Sequence, residues 1–199
     1  MSRTLNVVVA NVLLVQAVVF GVVLGVTGRG LAEPVTVAGS PLTTVNVALA
    51  VVVLVAFAAV MRFAVLVGRD LRWVEQSQVS AITIFLIAQL NGITEVAALV
   101  PLYALSAAGT LFLVLHSRSG DRLTYIFGAA VGIVPWGVIA FYQIALGPSL
   151  LVRVITLAML AVAISTWVAA YRKSTRMLAL LPALGASVLA WLVLAETLV

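Results

Sequence analysis

The chain has 199 residues, of which 64% are hydrophobic and 9% charged, with a mean hydropathy of +1.28 and a formal net charge of +5. A water-soluble domain of this composition would present an apolar surface and aggregate, so lipid is the solvent that fits. The absence of cysteine excludes disulfides, thiolate catalysis and sulfur-ligated metals, and a single histidine, His116, leaves no cluster for a metal site or catalytic triad. The basic balance does not point to nucleic acid, because no basic run is interleaved with aromatic residues and the cations read as loop charges that orient helices.

A hydrocarbon core about 30 Å thick is crossed by about 20 apolar residues in a helix. The first such stretch runs from Leu5 to Thr27. It is too long, and Met1 to Thr4 too short, for an ordinary signal peptide, so a retained helix is expected. Gly28, Gly30, Pro34, Gly39 and Pro41 follow and read as a surface loop. The second stretch is Thr44 to Val67 and the third Leu71 to Leu90, which Asn91-Gly92 turns into the fourth, Thr94 to Leu115. A polar turn from Ser117 to Asp121 leads to the fifth, Leu123 to Leu146. Gly147-Pro148-Ser149 opens the sixth, Leu150 to Tyr171, and the seventh is Met177 to Leu198.

Many of these residues are valine and isoleucine, but a lone span in lipid must satisfy its own backbone, which makes it a helix. A barrel would alternate apolar with polar residues, and runs such as Ala48 to Val60 do not. The fold class is therefore an all-α membrane protein, a seven-transmembrane-helix bundle forming one domain over residues 1–199. No internal repeat is evident.

Loop charge sets the orientation. Arg3, Arg62, Arg69, Arg72, Arg118, Arg122, Arg172, Lys173 and Arg176 fall on the N-terminal side, against Arg29 and Arg153 on the other. This bias places the N-terminus in the cytoplasm, and an odd number of spans places Val199 outside, in a multi-pass protein of the cell membrane.

Polar groups within lipid are costly, so each is a candidate site. Glu75 stands one turn inside the third helix, where it can pair with Arg72 near the interface or face the bundle interior as a counterion or proton carrier. Asn6, Asn11, Gln16, Asn46, Gln78, Gln89 and Asn91 are suited to hydrogen bonds between helices. Glu95 and Glu196 fall near the outer interface, where they are expected to be solvated. Pro135-Trp136 lies mid-helix, where a proline removes a backbone bond and can open a cavity. Trp167 and Trp191 are placed to pack or to line one. No filter-like glycine run, broken helix pair, GxSxG or HExxH occurs, so neither transport nor enzymatic catalysis has a signature.

Arg72-Trp73-Val74-Glu75, Ser77, Leu86-Ile87-Ala88 and Asn91-Gly92-Ile93 resemble the third helix of the heliorhodopsins. Gly128 to Trp136 with Tyr142 resembles that family's fifth helix, and Ser187-Val188-Leu189-Ala190-Trp191 the end of its seventh. The resemblance implies a rhodopsin-like bundle of inverted topology, with a homodimer as a possible assembly. It also implies a retinal pocket with Glu75 as the counterion of a protonated Schiff base and candidate lining from Trp73, Ser77, Gln78, Pro135, Trp136, Trp167, Ser187 and Trp191.

The position matching the family's retinal lysine is Ala186, and Gln76 replaces its tyrosine after the glutamate. The chain's one lysine, Lys173, lies 13 residues earlier, about 20 Å along a helix. No covalent retinal is therefore expected, and any retinal would be held non-covalently. The readings are a membrane sensor, scaffold or regulatory partner, a binder of free retinal or another apolar ligand, and a small transporter or channel.

Overall fold

The computed structural model describes residues 3–68 and 71–198. Arg69, counted above among the N-terminal-side charges, and Val199, assigned to the outer side, lie outside the described residues, as does Met1.

Seven helices follow one another: α1 (Arg3–Thr27), α2 (Val47–Leu66), α3 (Arg72–Leu90), α4 (Val96–Ser119), α5 (Arg122–Leu146), α6 (Leu150–Tyr171) and α7 (Thr175–Leu198). Side-chain caps explain several of the starts. Asn46, Asp121 and Ser149 accept the backbone N–H of Leu49, Leu123 and Val152 at 3.1, 3.1 and 3.2 Å. Gly120 (φ 73°) and Gly147 (φ 59°) end α4 and α5 in the left-handed region.

Six of the helices are long and apolar enough to cross a membrane. The exception is α3, the shortest at 19 residues, which carries Glu75 and three glutamines yet buries eleven of its side chains. It sits inside the bundle, packed against α2, α4 and α7, with further contacts to α5 and α6. Its amides and hydroxyls link neighbours: Ser80 Oγ lies 2.9 Å from Ser106 Oγ on α4, Tyr103 O–H donates to Gln78, and Asn91 Nδ2 donates to Thr156 on α6 at 3.0 Å.

The segment read as a surface loop is a β-hairpin of β1 (Ala32–Val37) and β2 (Ser40–Asn46), so α2 begins three residues later than the apolar run predicts. Its two-residue turn places Ala38 (φ 50°) and Gly39 (φ 78°) both at positive φ, the geometry that matches strand twist. The hairpin is anchored to the start of α4. Thr36 N–H donates to Thr94 O (2.9 Å), while Glu95 Oε1 accepts the Thr36 hydroxyl (2.8 Å) and the Gly39 N–H (2.7 Å). These bonds hold the Glu95 carboxyl below the usual carboxylate range. Glu95 is thus a structural clamp rather than merely a solvated charge.

Candidate functional site

Glu75 is 1% exposed, and its partner is Arg62 of α2, itself 2% exposed. Arg62 Nε donates to Glu75 Oε1 at 2.5 Å, and Arg62 Nη2 donates to the carbonyl of Ala179 on α7. Of the two placements the sequence left open for Glu75, pairing with Arg72 near the interface gives way to the interior one: Glu75 is buried in the bundle and bonded to Arg62 of α2. The tally of loop charges changes too: Arg62 is an interior cation. Eight cations then remain on the N-terminal side against two.

Proline explains one of the two carbonyls that α7 offers its neighbours at this level. Pro182 has no N–H, so the carbonyl of Leu178, four residues earlier, has no donor within its own helix. Gln76 Nε2 of α3 donates to that carbonyl at 2.8 Å. Arg62 takes the next one, at Ala179. The side chains of α2 and α3 therefore converge on one turn of α7 and join three helices by polar contacts. In a buried setting such a cluster is tolerated only when each charge has its partner.

Beside this cluster lies a cavity of about 90 Å³ bounded by α3, α4, α5, α6 and α7. It runs from Gln76 to Ile84 along α3 and from Leu178 to Ala186 along α7, a length of about 12 Å at 1.5 Å per residue. Gly109, Gly132 and Gly185 shape its wall. A Cβ on Gly109 of α4 would stand 2.9 Å from Gly132 Cα of α5, and one on Gly132 would stand 2.8 Å from the Trp167 ring. These positions let α4 and α5 touch backbone to backbone, with the indole of α6 laid over the contact.

Of the candidate lining residues, Trp136 and Trp167 border the cavity, as does Ala186, the position matching the family's retinal lysine. The structure does not bring the others to it. Trp73 is 42% exposed on the outside of the bundle. Ser77 is buried and bonds back to Val74 O at 3.2 Å, and Gln78 is held by Tyr103. Pro135 is buried beside the lining Trp136. Ser187 donates to Gln16 of α1, which does not line the cavity, at 2.8 Å. Trp191 is 54% exposed and packs edge-on against Phe20, with ring centroids 4.9 Å apart. Glu75 is likewise absent from the lining.

Among the described residues, no charged side chain lines the cavity, lysine included. Lys173 sits in the turn after α6, with Nζ 3.0 Å from where a Cβ on Gly120 would stand, beyond the C-terminal end of α4. Sequence reasoning missed Arg62, Gln76 and Pro182 as site residues. The available signals were an arginine one turn before the end of an apolar run and a proline seven residues into the last helix.

No curated protein matches the chain. The family model for heliorhodopsin matches residues 2–198, nearly the whole chain, and with seven helices in the described residues the protein belongs to the heliorhodopsin family.

Proposed function

We propose that this heliorhodopsin is a membrane sensor or regulatory scaffold that works without covalently bound retinal, and that it is not an enzyme. The observation that carries the reading is the double replacement at the site. Ala186 borders the cavity with no amine, and Glu75 already holds a cation of the protein's own, Arg62. A Schiff base needs a lysine in a dry pocket, and the only lysine is at the bundle's edge beside Gly120. The N-terminus is assigned to the cytoplasm on the eight-to-two distribution of cations, and a homodimer is proposed from family membership.

The test is direct. Membranes expressing the chain with all-trans retinal are expected to show no visible absorption band that hydroxylamine bleaches. A bleachable band would overturn the reading.

The cavity favours a second reading, in which an apolar ligand is held non-covalently. Its walls carry Trp136, Trp167 and Met159. Saturable quenching of tryptophan fluorescence by free retinoids would support this reading, and its absence would leave the non-binding scaffold.

A further inference from the structure

We infer that the α4–α5 and α6–α7 turns together bind the phosphate-bearing headgroup of an anionic lipid, in the leaflet that surrounds this end of the bundle.

The charge of the chain is gathered there. Five of its eleven cationic residues, Arg118, Arg122, Arg172, Lys173 and Arg176, fall within residues 118–122 and 172–176, together with one of its six acids, Asp121. Nearly all of the formal net charge of +5 is therefore on two short segments. A positive-inside bias accounts for the side on which loop cations fall, but not for their gathering on two of the turns there. All five cationic side chains are exposed. Arg122, Arg172, Lys173 and Arg176 make no salt bridge among the described residues. Asp121 spends a carboxylate oxygen on capping α5, where it accepts the Leu123 N–H at 3.1 Å.

The two turns are held against each other. Lys173 has φ 51°, in the left-handed region where a helix commonly ends on glycine. The N–H groups of Lys173 and Ser174 reach back to the carbonyls of Ala170 and Ala169 at 3.0 and 2.9 Å, which closes α6. This turn lays Lys173 Nζ over Gly120, 3.0 Å from where a Cβ would stand. The ring of Tyr125 on α5 meets His116 of α4 and Tyr171 of α6, with centroids 5.2 and 5.5 Å apart. His116 Nδ1 in turn lies 2.7 Å from the Asp121 carbonyl oxygen. The cations are thus mounted on a packed base.

The helix ends point to an anion. Arg122 and Arg176 stand in the first turns of α5 and α7, and neither first turn holds an acid. A helix N-terminus disfavours a cation and favours an anion, so a phosphate among these arginines relieves both ends at once. The border of the site points to lipid. Leu123, Tyr171 and Met177 are 60%, 67% and 49% exposed beside the cations. A headgroup can meet the cations while its chains cover these residues, whereas a soluble acidic partner has no use for the apolar border. Cations on two turns also suit a headgroup with two phosphates better than one with a single phosphate.

The experiment follows lipid adducts of the full chain by native mass spectrometry, from neutral detergent with phosphatidylcholine, phosphatidylglycerol or cardiolipin added. Cardiolipin is expected to bind tightest, phosphatidylglycerol less tightly and phosphatidylcholine least. Arg172→Gln with Arg176→Gln is expected to weaken cardiolipin at least about tenfold, at roughly fivefold for each surface cation. Lys173→Gly removes a cation while suiting the backbone better. It is expected to raise the unfolding temperature and still weaken cardiolipin roughly fivefold, a split that a merely structural lysine would not give. Arg29→Gln with Arg153→Gln, two cations at the opposite end of the bundle, is the control and is expected to change affinity by less than about twofold. Equal binding of phosphatidylcholine, an equal loss in the control, or no loss in Lys173→Gly overturns the site. Displacement of cardiolipin by an equal concentration of inorganic phosphate overturns the lipid and assigns the turns to a free anion.

Discussion

Two neighbouring regions of the bundle, one around Glu75 and one around Thr83, treat polarity in opposite ways. Around Glu75, every strong group has a partner: guanidinium on carboxylate, guanidinium on carbonyl, amide on the carbonyl that Pro182 leaves open. Around Thr83 the groups are weak and neutral, and the hydroxyls of Thr83 and Thr110 make no side-chain hydrogen bond among the described residues. The difference shows where the structure tolerates vacancy. A buried charge lacking its partner costs several kcal/mol, whereas an unpaired hydroxyl beside a cavity costs about one to three. The charged region is therefore complete within the protein, and the neutral region is where a ligand has room.

The sharpest way to break this contrast is to return an amine to the cavity. Ala186→Lys alone is expected to stay colourless with retinal, because Arg62 occupies Glu75. A lysine on α7 leans toward the helix N-terminus, and so toward the level of Ala179. Arg62→Gln combined with Ala186→Lys frees the carboxylate and is expected to give a visible, hydroxylamine-sensitive band. A coloured single variant would show that Arg62 does not control the site.

Next in size is the ion pair itself. Arg62→Met leaves Glu75 buried alone and is expected to destabilise the bundle by about 3–5 kcal/mol, whereas Arg62→Met with Glu75→Leu recovers most of that. Unfolding in detergent measures both, and equal losses in the single and double variants would argue against a coupled pair. Gly109→Ala forces α4 from α5 and is expected to cost about 1–3 kcal/mol, with Gly137→Ala, which meets nothing within 4 Å, as the neutral comparison.

The smallest effect belongs to the hairpin. Glu95 has its carboxyl lowered by the Gly39 N–H and the Thr36 hydroxyl. Its contribution is present above the unfolded carboxylate value of about 4.3 and fades as pH falls through the lower folded value. Glu95→Gln is expected to flatten that acid limb, read as amide exchange at Gly39 between pH 5 and pH 2, given as approximate bounds.

The helices were legible in the sequence because lipid leaves the backbone few choices. The predicted sixth helix coincides with α6 from Leu150 to Tyr171, and the others shift by at most four residues at either end. The hairpin was not legible: Pro34 and Pro41 stand inside its strands, where proline usually argues against a strand, and the glycines signal a loop. Glu75 stood out because it places a carboxylate inside a membrane-length stretch. Arg62 did not, since an arginine near the end of an apolar run looks like a loop charge until α3 and α7 are seen to close over it. The cavity has no local signature, because it depends on five helices and on how closely glycines let two of them meet.

The modest apolarity of α3 has a consequence for how the protein is made. Six helices can enter a bilayer on their own composition, but α3 brings a carboxylate and several amides. The partner that neutralises that carboxylate is on α2, synthesised just before it, so the two would cross the translocation machinery most readily as a joined hairpin. The third anchor, the Ala179 carbonyl, emerges only with the last helix. Until α7 arrives, the nascent protein holds an arginine whose final acceptor has not yet been translated, and a chain truncated before Ala179 would lack that acceptor altogether.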